Sequence, residues 1–193
     1  MSASHRLRIR LRLLMGCGMV LHAAPEVLSR PGVGVQKMVE ARGTVNVAKK
    51  AEREIVVEGT FAVPRPQMFE AITQPDHLKQ WMSASGMTLA EVEVDGRAGG
   101  SFRYVFQRPN GRRIEVRGAY RAFDPPLGFS YQESYDFSPL EIDVTTTLDE
   151  VSGGTRFRQT LRYLSTGERD EDFDGVATSS REAYAQLARY LAR

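Results

Sequence analysis

The sequence predicts an α+β domain in which a curved antiparallel sheet of six to seven strands packs against one long C-terminal helix. Three patterns carry this prediction. Short segments alternate apolar and polar residues, turns rich in glycine and proline separate them, and the last segment has apolar residues at helical spacing. A sheet of this kind has one apolar face to cover, and only the last segment is long enough to cover it.

The predicted elements follow the chain as one strand, two short helices, six strands and one long helix. The first alternation runs from Ile55 to Val63, and Pro66 then suits the first turn of a helix. A second short helix leads to Trp81, and Asn110-Gly111 is typical of a tight hairpin turn. The later strands are expected at 88–94, 101–106, 114–121, 129–134, 141–148 and 156–163, and the long helix at 168–192.

Composition and charge disfavour several kinds of partner. The net charge of +2 is uneven, because basic residues concentrate in the first fifty residues and the remainder is mildly acidic. Nucleic acid is therefore not expected as a partner. The single cysteine, Cys17, excludes an intrachain disulfide and fits a cytoplasmic protein. We expect no metal and no cofactor, because no His, Asp and Glu cluster has metal-ligand spacing and no glycine-rich loop joins a strand to a helix.

Residues 1–50 are expected to lie outside the domain, which we place at residues 51–193. The basic start and the apolar run that follows it are those of a weak signal peptide, and the run is too short for stable membrane insertion. Three interpretations stay open: a disordered tail, a secretion or lipidation signal, and sequence upstream of a start at Met38. The polar residues leading to Glu54 are expected to form a linker.

Several segments have a familiar sequence. They are FEAITQPDHLKQW from Phe69, DGRAGGSFRY from Asp95, DPP from Asp124 and GGTRF from Gly153. Together, over about residues 53–193, the chain resembles the homologues of the activator of the 90-kilodalton heat-shock-protein ATPase, a branch of the START-like or SRPBCC superfamily. The resemblance implies a helix-grip fold with a deep, mostly apolar cavity. Members of this superfamily bind lipids, sterols, polyketides or plant hormones, and some act as cyclases or aromatases.

The chain departs from the family pattern at two places. Trp81-Met82 stands where the family often has two adjacent aromatic residues, and Gly175-Val176 stands where the last helix often begins with Gly-Trp. A valine in place of an indole should enlarge the cavity or reshape its mouth. The identity of the ligand therefore cannot be transferred from the family.

Candidate ligand-binding residues are those that the patterns place on the inner face of the sheet, on the last helix or at the cavity mouth. A binding cavity needs an apolar wall with a few polar groups that orient the ligand, because an unpaired buried polar group costs about 1–3 kcal/mol. For the tyrosines the alternative is packing in the core with the hydroxyl at its rim. The candidates are Trp81, Met82, Phe102, Tyr104, Tyr120, Tyr131, Glu133, Phe157, Gln159, Val176 and Ser180.

Two other side chains have a chemistry of their own. We expect Glu133 to pair with an arginine of a neighbouring strand. If it instead faces an apolar cavity, its pKa should be raised, and it is then the candidate catalytic acid or base. His77 is expected to be an exposed residue at the start of the second short helix.

Three functions follow from these observations. The first is the binding of a small apolar or aromatic ligand in a carrier, sensor or stress-related role, and the shortage of catalytic side chains favours it. The second is a cyclase-like, aromatase-like or hydrolytic enzyme that uses Glu133. The third is a co-chaperone that contacts the 90-kilodalton heat-shock protein through its surface. A homodimer is compatible with each of them.

Overall fold

The computed structural model describes residues 43–83 and 86–193. Within these residues, one antiparallel sheet of eight strands packs its inner face against a long C-terminal helix. Three helices belong to this part of the chain: α1 (Arg65–Thr73), α2 (Pro75–Trp81) and α3 (Thr166–Leu191). The strands are β1 (Val45–Lys50), β2 (Glu54–Phe61), β3 (Thr88–Val94), β4 (Ser101–Gln107), β5 (Arg113–Asp124), β6 (Gly128–Tyr135), β7 (Ser138–Val151) and β8 (Gly154–Arg162). The fold predicted from the sequence is confirmed.

The strand order is β1-β2-β8-β7-β6-β5-β4-β3. Consecutive strands from β3 to β8 pair as hairpins, and β2 pairs with β8, so the beginning and the end of the domain lie side by side. The alternation that predicted the strands reflects burial of one face: Ile114, Val116 and Tyr120 of β5 are buried, whereas Arg117 and Arg121 are exposed. The sheet thus presents an apolar inner face to α3.

β1 was not predicted. Val45–Lys50 pairs with β2 along its whole length, and Val45 and Val47 are buried, so the expected linker is replaced by an edge strand. Gly43 explains how the chain enters this strand, because a side chain there would place its Cβ 2.3 Å from the Cβ of Ala188 on α3. The sheet therefore begins before residue 51. The signal-like segment and Met38 lie outside the described residues.

α3 begins at Thr166 because the Ser165 side chain accepts a hydrogen bond from the backbone N–H of Glu168, at 3.2 Å. Its apolar face is buried, with Leu187 fully inaccessible. Tyr184 on this face contacts the rings of Phe61 and Phe157. None of the helices in the described ranges is both long and apolar enough to cross a membrane.

One end of the inner face is filled by an aromatic cluster. Phe102, Tyr120, Phe129 and Tyr131 form five ring pairs with centroids 4.9 to 6.0 Å apart. Phe123 packs against Tyr120, with centroids 5.1 Å apart. Gly118 leaves the space for this cluster, because a Cβ at that position would lie 2.2 Å from the Phe102 ring. This end of the sheet is therefore solid core.

His77 differs from its prediction. The residue lies in α2 as expected, but its ring is half-buried rather than exposed. Its Nδ1 lies 2.8 Å from the hydroxyl oxygen of Tyr190, and the two rings meet edge to face. The contact joins α2 to the end of α3, which gives His77 a packing role.

Candidate functional site

A cavity of about 140 Å³ lies between the inner face of the sheet and α3. The sheet contributes strands β4 to β8, and Met82 and Met87, which lie on either side of residues 84–85, form one side of the wall. Most of the wall is apolar or aromatic: Trp81, Met82, Met87, Phe106, Val116, Ile142, Leu161, Val176, Ala183 and Tyr184. A second group of wall residues is polar: Tyr104, Glu133, Tyr135, Gln159, Asp172, Ser179 and Ser180.

The structure brings seven of the candidate residues together on this wall. They come from the end of α2, from β4, β6 and β8, and from one face of α3, so the alternation and the helical spacing both pointed to the right faces. They are Trp81, Met82, Tyr104, Glu133, Gln159, Val176 and Ser180. That these residues bind a ligand stays a prediction.

Four candidates do not line the cavity, and their assignment to its wall is corrected. Phe102, Tyr120 and Tyr131 belong to the aromatic cluster, which borders the cavity where Phe102 stacks on Tyr104. Phe157 packs beneath Tyr184, with ring centroids 4.7 Å apart. The alternation correctly predicts that these side chains point inward. It does not predict which of them reach the cavity, because the extent of the cavity depends on how large side chains pack against one another.

Most of the wall residues that were not predicted fall into two groups. Phe106, Val116, Ile142, Leu161 and Tyr184 lie on predicted inner faces, and the same periodicity identifies them. Tyr135 and Asp172 carry no such signal. A register shift between Ser134 and Tyr135 interrupts the alternation of β6. In the sequence, Asp172 resembles the other acidic residues near the start of α3, which interact favourably with the helix dipole.

Trp81 and Tyr184 form the aromatic part of the wall. Their rings stack with centroids 6.2 Å apart, and the indole N–H of Trp81 donates a hydrogen bond to the carbonyl oxygen of Ala71 at 2.8 Å. The hydroxyl of Tyr184 donates to the side-chain oxygen of Gln159 at 3.3 Å. Because each ring is held by a stack and a hydrogen bond, this part of the wall is preorganised.

Glu133 lies on β6 between Gly118 of β5 and Ile142 of β7. Its carboxylate accepts a hydrogen bond from the hydroxyl of Tyr135. The expected ion pair with an arginine is wrong, since no arginine of the described chain pairs with Glu133. Burial raises the pKa of Glu133 to about 7, the charge of Asp172 acts in the same direction, and the bond from Tyr135 opposes both. The direction of this shift is the one expected for a carboxyl group that faces the cavity.

Asp172 brings a second carboxyl group to the wall, from the second turn of α3. It is only 8% exposed, and it accepts a hydrogen bond from the hydroxyl of Tyr163 at 2.7 Å. Burial raises the pKa of Tyr163 and of Tyr135, and the nearby carboxylates add to this effect. Both phenols therefore remain hydrogen-bond donors at neutral pH.

The polar groups of the wall carry an uneven charge. Two of them are carboxyl groups, and no Lys, Arg or His of the described chain lines the cavity. Ser180 is 9% exposed and faces the cavity without a hydrogen bond to any residue that the structure describes. Within residues 43–83 and 86–193, no group of three or more His, Cys, Asp and Glu side chains is arranged to hold a metal ion. The wall can therefore accept hydrogen bonds from a bound molecule or exchange a proton with it at Glu133.

A sheet that grips a long terminal helix around a cavity defines a helix-grip protein of the START-like class. Within this class, the chain belongs to the family described as Activator of Hsp90 ATPase homolog 1-like protein, whose model matches residues 62–192. The fold and the family are those of ligand-binding or co-chaperone-type proteins. The family resemblance noted in the sequence is confirmed.

Solved structures show the same fold. A protein of Rhodobacter sphaeroides is 29% identical, with a TM-score of 0.74, and the match covers 77% of this chain and 98% of that one. A protein of Mycobacterium smegmatis is 23% identical, with a TM-score of 0.68 and coverage of 77% and 96%. One from Nitrosomonas europaea is 21% identical, with a TM-score of 0.68 and coverage of 75% and 97%. No curated protein matches the chain.

Proposed function

We propose that this protein binds a small, largely apolar ligand in the cavity between the sheet and α3. The observation that carries the proposal is a preorganised aromatic and aliphatic wall interrupted by a few polar groups, one of which, Ser180, makes no hydrogen bond within the described chain. A wall of this composition is typical of small-molecule sites. A bound molecule can supply the hydrogen-bond partner that this hydroxyl lacks within the described chain.

The size of the cavity limits the ligand. An engineered cavity of about 150 Å³ holds benzene, and this one measures about 140 Å³. A single substituted ring fits such a volume, whereas a sterol or a long acyl chain needs the wall to move. Val176 lines the cavity from α3, so the absence of an indole at that position leaves space on the helix side.

Val176→Trp tests the proposal, because an indole at this position would occupy the space that the ligand needs. We expect Val176→Trp to weaken the binding of benzyl alcohol, measured by isothermal titration calorimetry, by about tenfold or more, since overpacking and lost volume both oppose binding. Leu164→Trp is the matched control, because Leu164 is 68% exposed and does not line the cavity. Equal affinities of the wild type and Val176→Trp, or no binding of ring compounds to the wild type, would contradict the proposal.

The pKa of Glu133 favours a second candidate function, which is acid–base catalysis on the bound molecule. A carboxyl group with a pKa of about 7 is suited to donate or accept a proton at neutral pH. Glu133→Gln should then abolish turnover of a substrate that still binds. Turnover that survives this substitution would remove the catalytic role of Glu133.

A further inference from the structure

We propose that the ligand is a small aromatic or alicyclic amine, bound as its ammonium ion with the positive charge against Glu133 and Asp172 and the ring against Trp81 and Tyr184. This inference rests on the proposed function and adds the chemical class of the ligand. The geometry that carries it is a pair of carboxyl groups, one on β6 and one on α3, facing a single apolar cavity.

The charge of the cavity wall favours a cationic ligand. The two carboxyl groups lie close enough for their charges to interact, and the described wall contains no cationic side chain. A positive charge on the ligand would stabilise the ionised form of Glu133, with which no arginine of the described chain pairs. An anionic ligand would meet two negative charges, so carboxylic acids and phosphates are disfavoured.

The hydrogen-bonding capacity of the wall also favours an ammonium group. An ammonium group has three donors and no acceptor. The Glu133 carboxylate has acceptor sites beyond the one that the Tyr135 hydroxyl occupies, and the unpartnered oxygen of Ser180 is a further acceptor on the same wall. A neutral hydrocarbon would leave these acceptors without donors, at a cost in affinity. A metal ion would need a larger ligand set than the described residues provide.

The groups that face Glu133 give the binding a defined pH dependence. They are Tyr131 and Tyr135 on the same strand, Tyr104 from β4, Tyr163 after β8 and Asp172 from α3. Burial raises the pKa of all four tyrosines, so these remain uncharged at neutral pH. Glu133, with a pKa of about 7, gains its charge between about pH 6 and 8, whereas an alkylammonium ion keeps its proton until about pH 10. Ammonium binding should therefore strengthen as the pH rises from 6 to 8.

Benzylamine and benzyl alcohol are the probes, because they share one ring and differ in charge. Isothermal titration of the full chain at pH 8 should give an affinity for benzylamine about tenfold or more above that for benzyl alcohol, and the difference should shrink at pH 6. Glu133→Gln should lower the affinity for benzylamine by about tenfold or more, and change that for benzyl alcohol by less than about threefold. Asp172→Asn should act in the same direction.

Glu141→Gln is the control, since it removes the same charge from an exposed position on β7. It should leave both affinities unchanged, and thermal unfolding of each variant checks that the fold is retained. Equal affinities for the two probes in the wild type would overturn the amine inference and leave the proposed function standing. If neither probe binds, both the amine inference and the proposed function are overturned. If Glu141→Gln loses as much benzylamine affinity as Glu133→Gln, the effect comes from overall charge and the amine inference is overturned.

Discussion

Glu133 affects both the stability of the fold and the chemistry of the cavity. Its carboxyl group faces the cavity from β6, and burial raises its pKa to about 7. In the unfolded chain the same group has a pKa of about 4.3. When the pKa of a carboxyl group is higher in the folded state than in the unfolded state, the group favours folding fully at a pH below its unfolded-state pKa. This contribution is lost as the pH rises through the folded-state pKa. The ionised side chain therefore destabilises the ligand-free protein above neutral pH.

Glu133→Gln should remove this pH dependence, because glutamine fills nearly the same space and carries no charge. The difference in unfolding free energy between the variant and the wild type should be about 2–3 kcal/mol more favourable to the variant at pH 8 than at pH 5. Urea denaturation at the two pH values measures the difference. Glu141→Gln, at an exposed position, should show none of it. A stability difference between Glu133→Gln and wild type that is the same at both pH values would show that Glu133 titrates normally.

β1 is a strand that hydrophobic patterning does not predict. Val45 and Val47 are its only buried residues, and the strand ends in Lys49 and Lys50, so the alternation is too short to stand out from a polar linker. Its contacts are nevertheless specific. The Nζ of Lys49 lies 2.6 Å from a carboxylate oxygen of Asp170, and Arg169 donates to the carbonyl oxygen of Ala51 at 3.2 Å. β1 therefore belongs to the support of α3.

Val47→Asp tests whether β1 is part of the cooperative fold. A charge buried against α3 and β2 without a partner should lower the unfolding free energy by about 2–4 kcal/mol. Asn46→Asp is the control on the opposite face of the strand, where the side chain is exposed, and it should change stability by less than about 0.5 kcal/mol. The comparison is made by urea denaturation. Equal stability of the two variants would mean that the strand is dispensable.

α3 and the later strands could be predicted because their patterns are long. Six segments with regular alternation and one with helical spacing gave the order of elements and the faces that turn inward, and Glu133, Gln159, Val176 and Ser180 were found in this way. Tyr135 escaped because the register shifts at its position. Such a shift arises from the pairing of two strands and leaves no periodic signal in either one.

At the scale of the whole molecule, the cavity itself could not be predicted from patterns. Its volume depends on how far α3 stands from the sheet, and that distance is set by the packing of large side chains against one another. Phe102, Tyr120 and Tyr131 close one end of the inner face, while Phe157 fills the space beneath Tyr184. An alternating sequence places each of these rings inward, but it does not say which of them reaches the cavity.

An NMR titration of the isotope-labelled protein with benzylamine at pH 8 shows whether ring compounds enter the cavity between the sheet and α3. We expect saturable chemical-shift changes concentrated at cavity residues of β6, β8 and α3, including Glu133, Gln159 and Val176. Shifts confined to the groove around Arg65 and Glu150 on the outside of the domain, or none at all, would contradict binding in the cavity.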